Sequence, residues 1–460
     1  CKPTRRPPNP RCTPLTPPAP PPRPPPPPNT PPPPPPPAET VGLNRRQVLA
    51  AAAVAAPAIV LTSAIPARAT STNSALTLTQ TATGISPGSD VTATATVLDS
   101  QGRPWAGQTV SFTSNVPSAL SFGPSTGVTN SAGQVTTTIT AAGTLAATAT
   151  ISAASGPLTT TGAVDILPVT ATIAVGDGPR RVEISPNGSY AYVSNTFSGT
   201  VSRISTTTNA VTATITTGTY PDGISFAPDG SYAYVAHDST SEMKRINTTT
   251  DSVAATISGT DGSRDVAVSP DGTFALVGRA GGGIVRVDTS TNSATATIGA
   301  DPTVTNLTVV MESGGSAAWV ATWSTATVRR ISTASNTVQL IPATGDSADV
   351  ALSPDQSYVY VSNPSSPTQV RVSTSTNAVE NFVTLPDGAL GIAVSPDGAY
   401  VFYTLYDQNR VVRVDTATGT VTATIPVGAG PGAVAVSPDG KFLYVTNTLG
   451  DTVSRIQLKA

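Results

Sequence analysis

The chain has 460 residues, of which 11% are charged and 38% hydrophobic, with 45 prolines, 38 glycines and 2 cysteines. Thr, Ser, Ala and Val are abundant while Leu, Glu and Lys are few, which argues against a helical protein and predicts an all-β one. The net charge of −2 is unevenly spread: eight of the 25 basic and one of the 27 acidic residues precede Thr70, leaving 17 basic against 26 acidic, a net of −9. An acidic body disfavours a nucleic-acid backbone or an anionic membrane as the main partner.

Both cysteines, Cys1 and Cys12, lie in the proline-rich head, so nothing after Thr13 can form a disulfide or a thiolate metal site. Residues 1–40 are dominated by proline and predict an extended polyproline segment with no core. Residues 41–69 then run through Asn44-Arg45-Arg46-Gln47-Val48-Leu49, an Ala-rich apolar stretch from Ala50 to Ala64, and Ala67-Arg68-Ala69. That order predicts a signal peptide cleaved after Ala69, and the paired arginines resemble twin-arginine export signals. Val41 reads as a non-AUG start, which makes 1–40 a gene-calling artefact; the alternative is a genuine disordered extension. The expected destination is outside the cell or on its surface, with no membrane span in the mature protein.

Residues 74–167 alternate in short runs such as Val91-Thr92-Ala93-Thr94-Ala95-Thr96-Val97, broken by Ser86-Pro87-Gly88, Asp99-Ser100-Gln101-Gly102 and Ala132-Gly133-Gln134. Strands of this length with a turn every ten or so residues predict a β-sandwich. The passage from Val97 to Pro104 into Gly107-Gln108-Thr109-Val110-Ser111-Phe112, then Thr129-Asn130-Ser131-Ala132-Gly133-Gln134-Val135, resembles bacterial immunoglobulin-like domains of the invasin and intimin type. The resemblance implies a spacer or adhesive module.

Residues 168–460 carry an internal repeat. Ser185-Pro186-Asn187-Gly188 recurs as Ala227-Pro228-Asp229-Gly230, Ser269-Pro270-Asp271-Gly272, a degenerate Met311-Glu312-Ser313-Gly314, Ser353-Pro354-Asp355-Gln356, Ser395-Pro396-Asp397-Gly398 and Ser437-Pro438-Asp439-Gly440, each step being 42. Each repeat reads as four strands, a to d, with this motif as the a–b hairpin turn, and seven such units predict a seven-bladed β-propeller. A lone strand d, Val169-Thr170-Ala171-Thr172-Ile173, opens the region, and the chain ends after a strand c, so the two should pair and close the last blade. The repeats resemble the YVTN family of propellers, carried by Tyr444-Val445-Thr446-Asn447 and nearly by Tyr192-Val193-Ser194-Asn195. That family includes surface-layer-like proteins, and related propellers include lactonases.

An arginine recurs on strand c as Arg203, Arg245, Arg286, Arg330, Arg371, Arg413 and Arg455. Strand c is third from the axis, about 10 Å outside the channel wall at about 4.8 Å per strand. A structural role is therefore expected, the stem packing between blades and the guanidinium tying neighbouring backbone carbonyls. Functional residues are sought where the repeat is broken. The d–a and b–c loops open on one face, and there the candidate ligand-binding rim is Arg181, Asp222, His237, Arg264, Asp265, Arg279, Trp323 and Asp349, with Arg180, Asn306 and Trp319 nearby.

His237 is the sole histidine, which disfavours a histidine-based metal site or a Ser-His-Asp triad. Gly281-Gly282-Gly283 lacks the strand–helix setting of a phosphate loop. No catalytic residue, metal or cofactor is expected. The reading is a monomeric exported protein whose spacer presents a propeller to a cell-wall or extracellular glycan, peptide or protein. The competing readings are a secreted hydrolase or lyase of lactonase type and a structural surface-layer component.

Overall fold

A computed structural model describes residues 74–459 except 144, 281–282, 300, 302–306, 324 and 344. The expectations for the proline-rich head, the signal peptide, the two cysteines and Asn306 fall outside the described residues. No helix occurs among the described residues, so none is long and apolar enough to cross a membrane.

Between Ala75 and Ile166 two sheets face each other. One orders Ala75–Gln80, Asp90–Leu98, Gln134–Ala141 and Leu120–Gly123; the other orders Gly84–Ile85, Leu158–Ile166, Ala147–Ser155, Thr109–Ser114 and Thr126–Val128. Strand pleating turns alternate residues inward, so Val91, Ala93, Ala95 and Val97 are buried against Phe112, Ile139, Ile151 and Val164. This is a β-sandwich whose core is drawn from both inner faces.

The remaining chain forms seven four-stranded antiparallel sheets. Blade 1 comprises Pro179–Ile184, Tyr190–Asn195, Thr200–Ser205 and Ala210–Thr216, strands a to d in order, and blades 2 to 6 follow over 221–258, 263–298, 307–342, 349–384 and 392–426. The a strands of successive blades contact one another around a complete cycle, the seventh touching the first. Blade 7 takes its fourth strand from the front of the repeat region: Val169–Ala174 pairs antiparallel with Thr452–Gln457. The phase of the repeat foretells this closure. The a–b turns form a second ring, in which each glycine lies against the proline of a neighbouring turn. A β-carbon at Gly230 would sit 3.6 Å from Pro186, and one at Gly188 3.6 Å from Pro438, across the closure.

Two expectations need correction. The steps are not all 42. In blade 4 the Glu312 N–H donates to Ala317 O and the Gly315 N–H to Glu312 O, the pattern that Ser185 and Gly188 make in blade 1. Ser313, rather than Glu312, therefore stands where the turn proline stands, giving steps of 43 and then 41. Gly315, at φ 68°, supplies the left-handed residue. The Glu312 carboxylate in turn accepts from the Trp319 indole at 3.0 Å and from Arg330 at 3.2 Å.

The strand-c arginines do not chiefly tie backbone carbonyls. Each guanidinium lies over an aromatic ring on strand b of its own blade, with centroid distances from 3.4 Å (Arg455 over Phe442) to 5.3 Å (Arg330 over Trp319). Arg203, Arg245, Arg286, Arg371 and Arg413 do the same over Tyr190, Tyr232, Phe274, Tyr358 and Tyr400. The b–c register places each arginine beside a large ring whose face attracts the cation. Arg286 does reach a neighbouring carbonyl, Thr333 O at 2.7 Å, and Arg203 reaches Asp251 of the next blade at 3.0 Å.

Arg413 joins the two parts. It is buried, donates to Asp165 of the sandwich at 2.9 Å and to Thr422 at 2.9 Å, while the Thr83 N–H donates to Thr422 O at 3.0 Å. Leu167 packs beside Phe402, Ala423 and Leu443. The sandwich is thus seated on the outer edge of blade 6.

Deleting Val169–Ala174 should expose the unpaired edge of the last strand. The expected outcome is a lower melting temperature with concentration-dependent self-association in gel filtration; a monomer with unchanged melting would show that closure is dispensable.

Candidate functional site

In the repeat frame, the place of Arg181 is filled by Gly223, Asp265, Thr308, Asp349, Gly391 and Ala433 in blades 2 to 7. These are innermost-strand positions facing the channel, and of the seven, Arg181 included, three are charged. The Arg181 guanidinium crosses from blade 1 to blade 5 and donates to Asp349 at 2.7 Å. Asp265 accepts from the Val309 N–H at 2.9 Å. A β-carbon at Gly223 would lie 2.4 Å from the Asp265 carboxylate, so only glycine leaves that carboxylate its place. Glu183 lies two residues beyond Arg181, on the same face by the pleat.

This half-buried cluster sets one cation among three carboxylates. Burial alone would lower the Arg181 pKa, but Asp349, Asp265 and Asp222 reverse that and hold it firmly charged. Burial pushes Glu183 up to about 8, helped by Asp265 and opposed by Arg181. Burial likewise raises Asp265 to about 7, opposed by Arg181 and the Val309 N–H.

Above the cluster the channel opens into a cavity of 510 Å³. One wall is an ion-pair chain: Asp222 lies 3.3 Å from Arg180 and 3.7 Å from Arg264, and Arg264 lies 3.0 Å from Asp238. The other wall uses one repeat position just past strand b, which is Trp323 in blade 4, Pro364 in blade 5, Tyr406 in blade 6 and Thr448 in blade 7. Asp387 and Asp407 complete it. Gly388 lets the Asp387 loop close in, because a β-carbon there would collide with the Pro364 carbonyl.

Of the eight rim candidates, Arg181, Asp222, Arg264, Trp323 and Asp349 line this cavity, and Asp265 belongs to the charged cluster beside Arg181. His237 and Arg279 do not line it. They occupy the last position of strand b, where the pleat turns side chains into the b–c hairpin; the equivalent Asn195 donates to Thr200 and Ser202 within its own blade. His237 is buried, its Nδ1 lies 3.1 Å from Val235 O, and burial pulls its pKa down to about 4. It is therefore neutral at pH 7 and takes no part in the cavity lining. The rim residue is the next one along, since a one-residue offset moves a side chain to the opposite face. That rule finds Tyr406, which the candidate rim lacked; Asp407, one residue further into the b–c loop, lines the cavity beside it.

The chain is a β-propeller. The family described as lactonase, 7-bladed β-propeller, matches residues 150–300, about a third of the chain. Hydrazine synthase of Kuenenia stuttgartiensis matches at 22% identity and a TM-score of 0.56, over 61% of this chain and 95% of that one. The β-propeller domain of Cps50 (Swd1) of Myceliophteria thermophila matches at 13% identity and 0.56, over 64% of this chain and all of that domain. At these identities the likeness is one of fold. No curated protein matches the chain.

Glu183 and Asp265 hold protons in the folded state to about pH 8 and 7, whereas unfolded carboxylates lose them near pH 4. Between those limits the native state binds more protons, so stability should fall as pH rises from 4 to 8. Thermal melts across that range should show Glu183→Gln keeping several degrees that the parent loses; parallel curves would refute the shift.

Proposed function

We propose that this protein binds a cyclic, hydroxyl-rich small molecule, a sugar or sugar lactone, in the channel-mouth cavity. The observation that carries the reading is the pairing of two unlike walls around 510 Å³: an Arg180–Asp222–Arg264 chain facing Trp323 and Tyr406. Aromatic faces stack on the C–H surface of a sugar ring, and fixed ion-paired side chains bond its hydroxyls without reorganising. The partial lactonase match spans blades 1 to 3, which supply Arg180, Arg181, Asp222 and Arg264, and it favours a lactone as ligand and hydrolysis as reaction class. For hydrolysis, Arg264 would polarise the ring carbonyl and Asp222 would orient the attacking water.

Around this site we place the finer expectations of the sequence. The sandwich fits a bacterial immunoglobulin-like spacer and the repeats a YVTN-type propeller, on the motifs given above. The twin-arginine segment supports export to the surface, where such a spacer would hold the cavity outward. The seat of the sandwich on blade 6 through Arg413 and Asp165 supports a rigid stalk over a loose tether.

The test is to follow opening of D-glucono-1,5-lactone in a pH-stat, with binding of lactone and of D-glucose measured by calorimetry. The expected result is binding in the cavity and lactone opening that falls about 10²-fold in Arg264→Ala. Binding without acceleration would leave a sugar-binding propeller; no binding of either compound would refute the proposal.

A further inference from the structure

We propose that the ligand of the channel-mouth cavity carries a protonated amine, which makes an amino sugar or amino-substituted lactone the preferred class; the inference rests on the small-molecule reading above. The three arginines lining the cavity all have carboxylate partners: Arg180 with Asp222, Arg264 with Asp238, and Arg181 with Asp349. Asp387 and Asp407 enter no ion pair among the described residues. The contacts of Asp387 are neutral donors, the Gly388 N–H at 2.8 Å and the Gln408 amide at 3.4 Å. Arg410, three residues past Asp407, is exposed at the start of strand c and makes no ion pair with it. The cavity's uncompensated charge is therefore negative and lies on the blade 6 wall.

That wall is also the aromatic one. Tyr406 precedes Asp407 directly and packs over Gly430, where a β-carbon would lie 3.1 Å from its ring. Trp323 occupies the same repeat position two blades away and lines the same cavity. One aromatic ring next to two unpaired carboxylates, with a second ring lining the same cavity, suits a cation, which gains ring quadrupole and carboxylate attraction together. Asp407 is exposed and Asp387 half-buried, so both are stable as they stand, but an ammonium group gains from the two charges, a neutral sugar does not, and an anionic one meets like charge there. The amine would sit toward Asp387, Asp407 and Tyr406, and the hydroxyls toward the Arg180–Asp222–Arg264 chain.

Calorimetric titration of the full chain with D-glucosamine, N-acetyl-D-glucosamine and D-glucose holds the ring constant while the amine is charged, acylated or absent. The expected result is that glucosamine binds about tenfold tighter than either neutral sugar, weakening with added salt. Asp407→Asn and Asp387→Asn, both changes to surface loops, should each remove most of that preference without altering the melting temperature. Equal affinity for all three sugars, or a preference unchanged in both variants, would overturn the amine while leaving the sugar site standing. Lactone opening with no glucosamine binding would do the same. Failure of every sugar and of the lactone would overturn the cavity reading as well.

Discussion

The backbone pairing of Val169–Ala174 with Thr452–Gln457 brings together the two ends of the repeat region, and the rest of the propeller depends on it. A row of seven sheets has two free edges and no fixed curvature; joining those edges sets both the number of blades and the diameter of the channel. Once the ring is closed, blades 1 and 5 face each other across the axis, and Arg181 can reach Asp349. The antiparallel ladder that closes the sheet also holds the charged cluster together. Closing so long a segment costs chain entropy, but the cost grows only slowly with length, and the hydrogen bonds of a whole strand offset it.

The channel is filled by charge where most of the fold is filled by apolar packing. One guanidinium serves three carboxylates, and burial resolves the imbalance by keeping protons on Glu183 and Asp265. The glycine at 223 shows that the sequence makes room for this arrangement. The strand-c arginines meet a different environment: each covers an aromatic ring of its own blade, and all but the buried Arg413 keep partial contact with water. The same residue type thus performs two tasks, fixed by its distance from the axis.

Much of the architecture is legible in the sequence because a repeat reports its own geometry. The turn motif locates every a–b hairpin but one, and the phase of the ends reveals the closing strand. Blade 4 escapes because Met311-Glu312-Ser313-Gly314 can be laid in frame, and only the hydrogen bonds of Glu312 and Gly315 show that the turn begins one residue later. The cavity is harder to read for a related reason. His237 and Arg279 break the repeat conspicuously, yet strand pleating turns that position inward, and the quieter changes at Tyr406 and Asp407 line the cavity. Which charges remain unpaired depends on contacts between blades, such as Arg180 with Asp222 and Arg264 with Asp238, and no local pattern contains those.

The central claim is that function is concentrated at the channel mouth, where the otherwise regular blades differ. Hydrogen–deuterium exchange of the intact chain with and without saturating D-glucosamine tests it most directly, because exchange reports protection segment by segment. The account predicts slowed exchange in the loop around Asp387–Leu390 and in the b–c loops that begin at Trp323 and Tyr406, with the a–b turns on the far face unchanged. Protection confined to the a–b turns or to the sandwich, with the mouth loops unaffected, would contradict it.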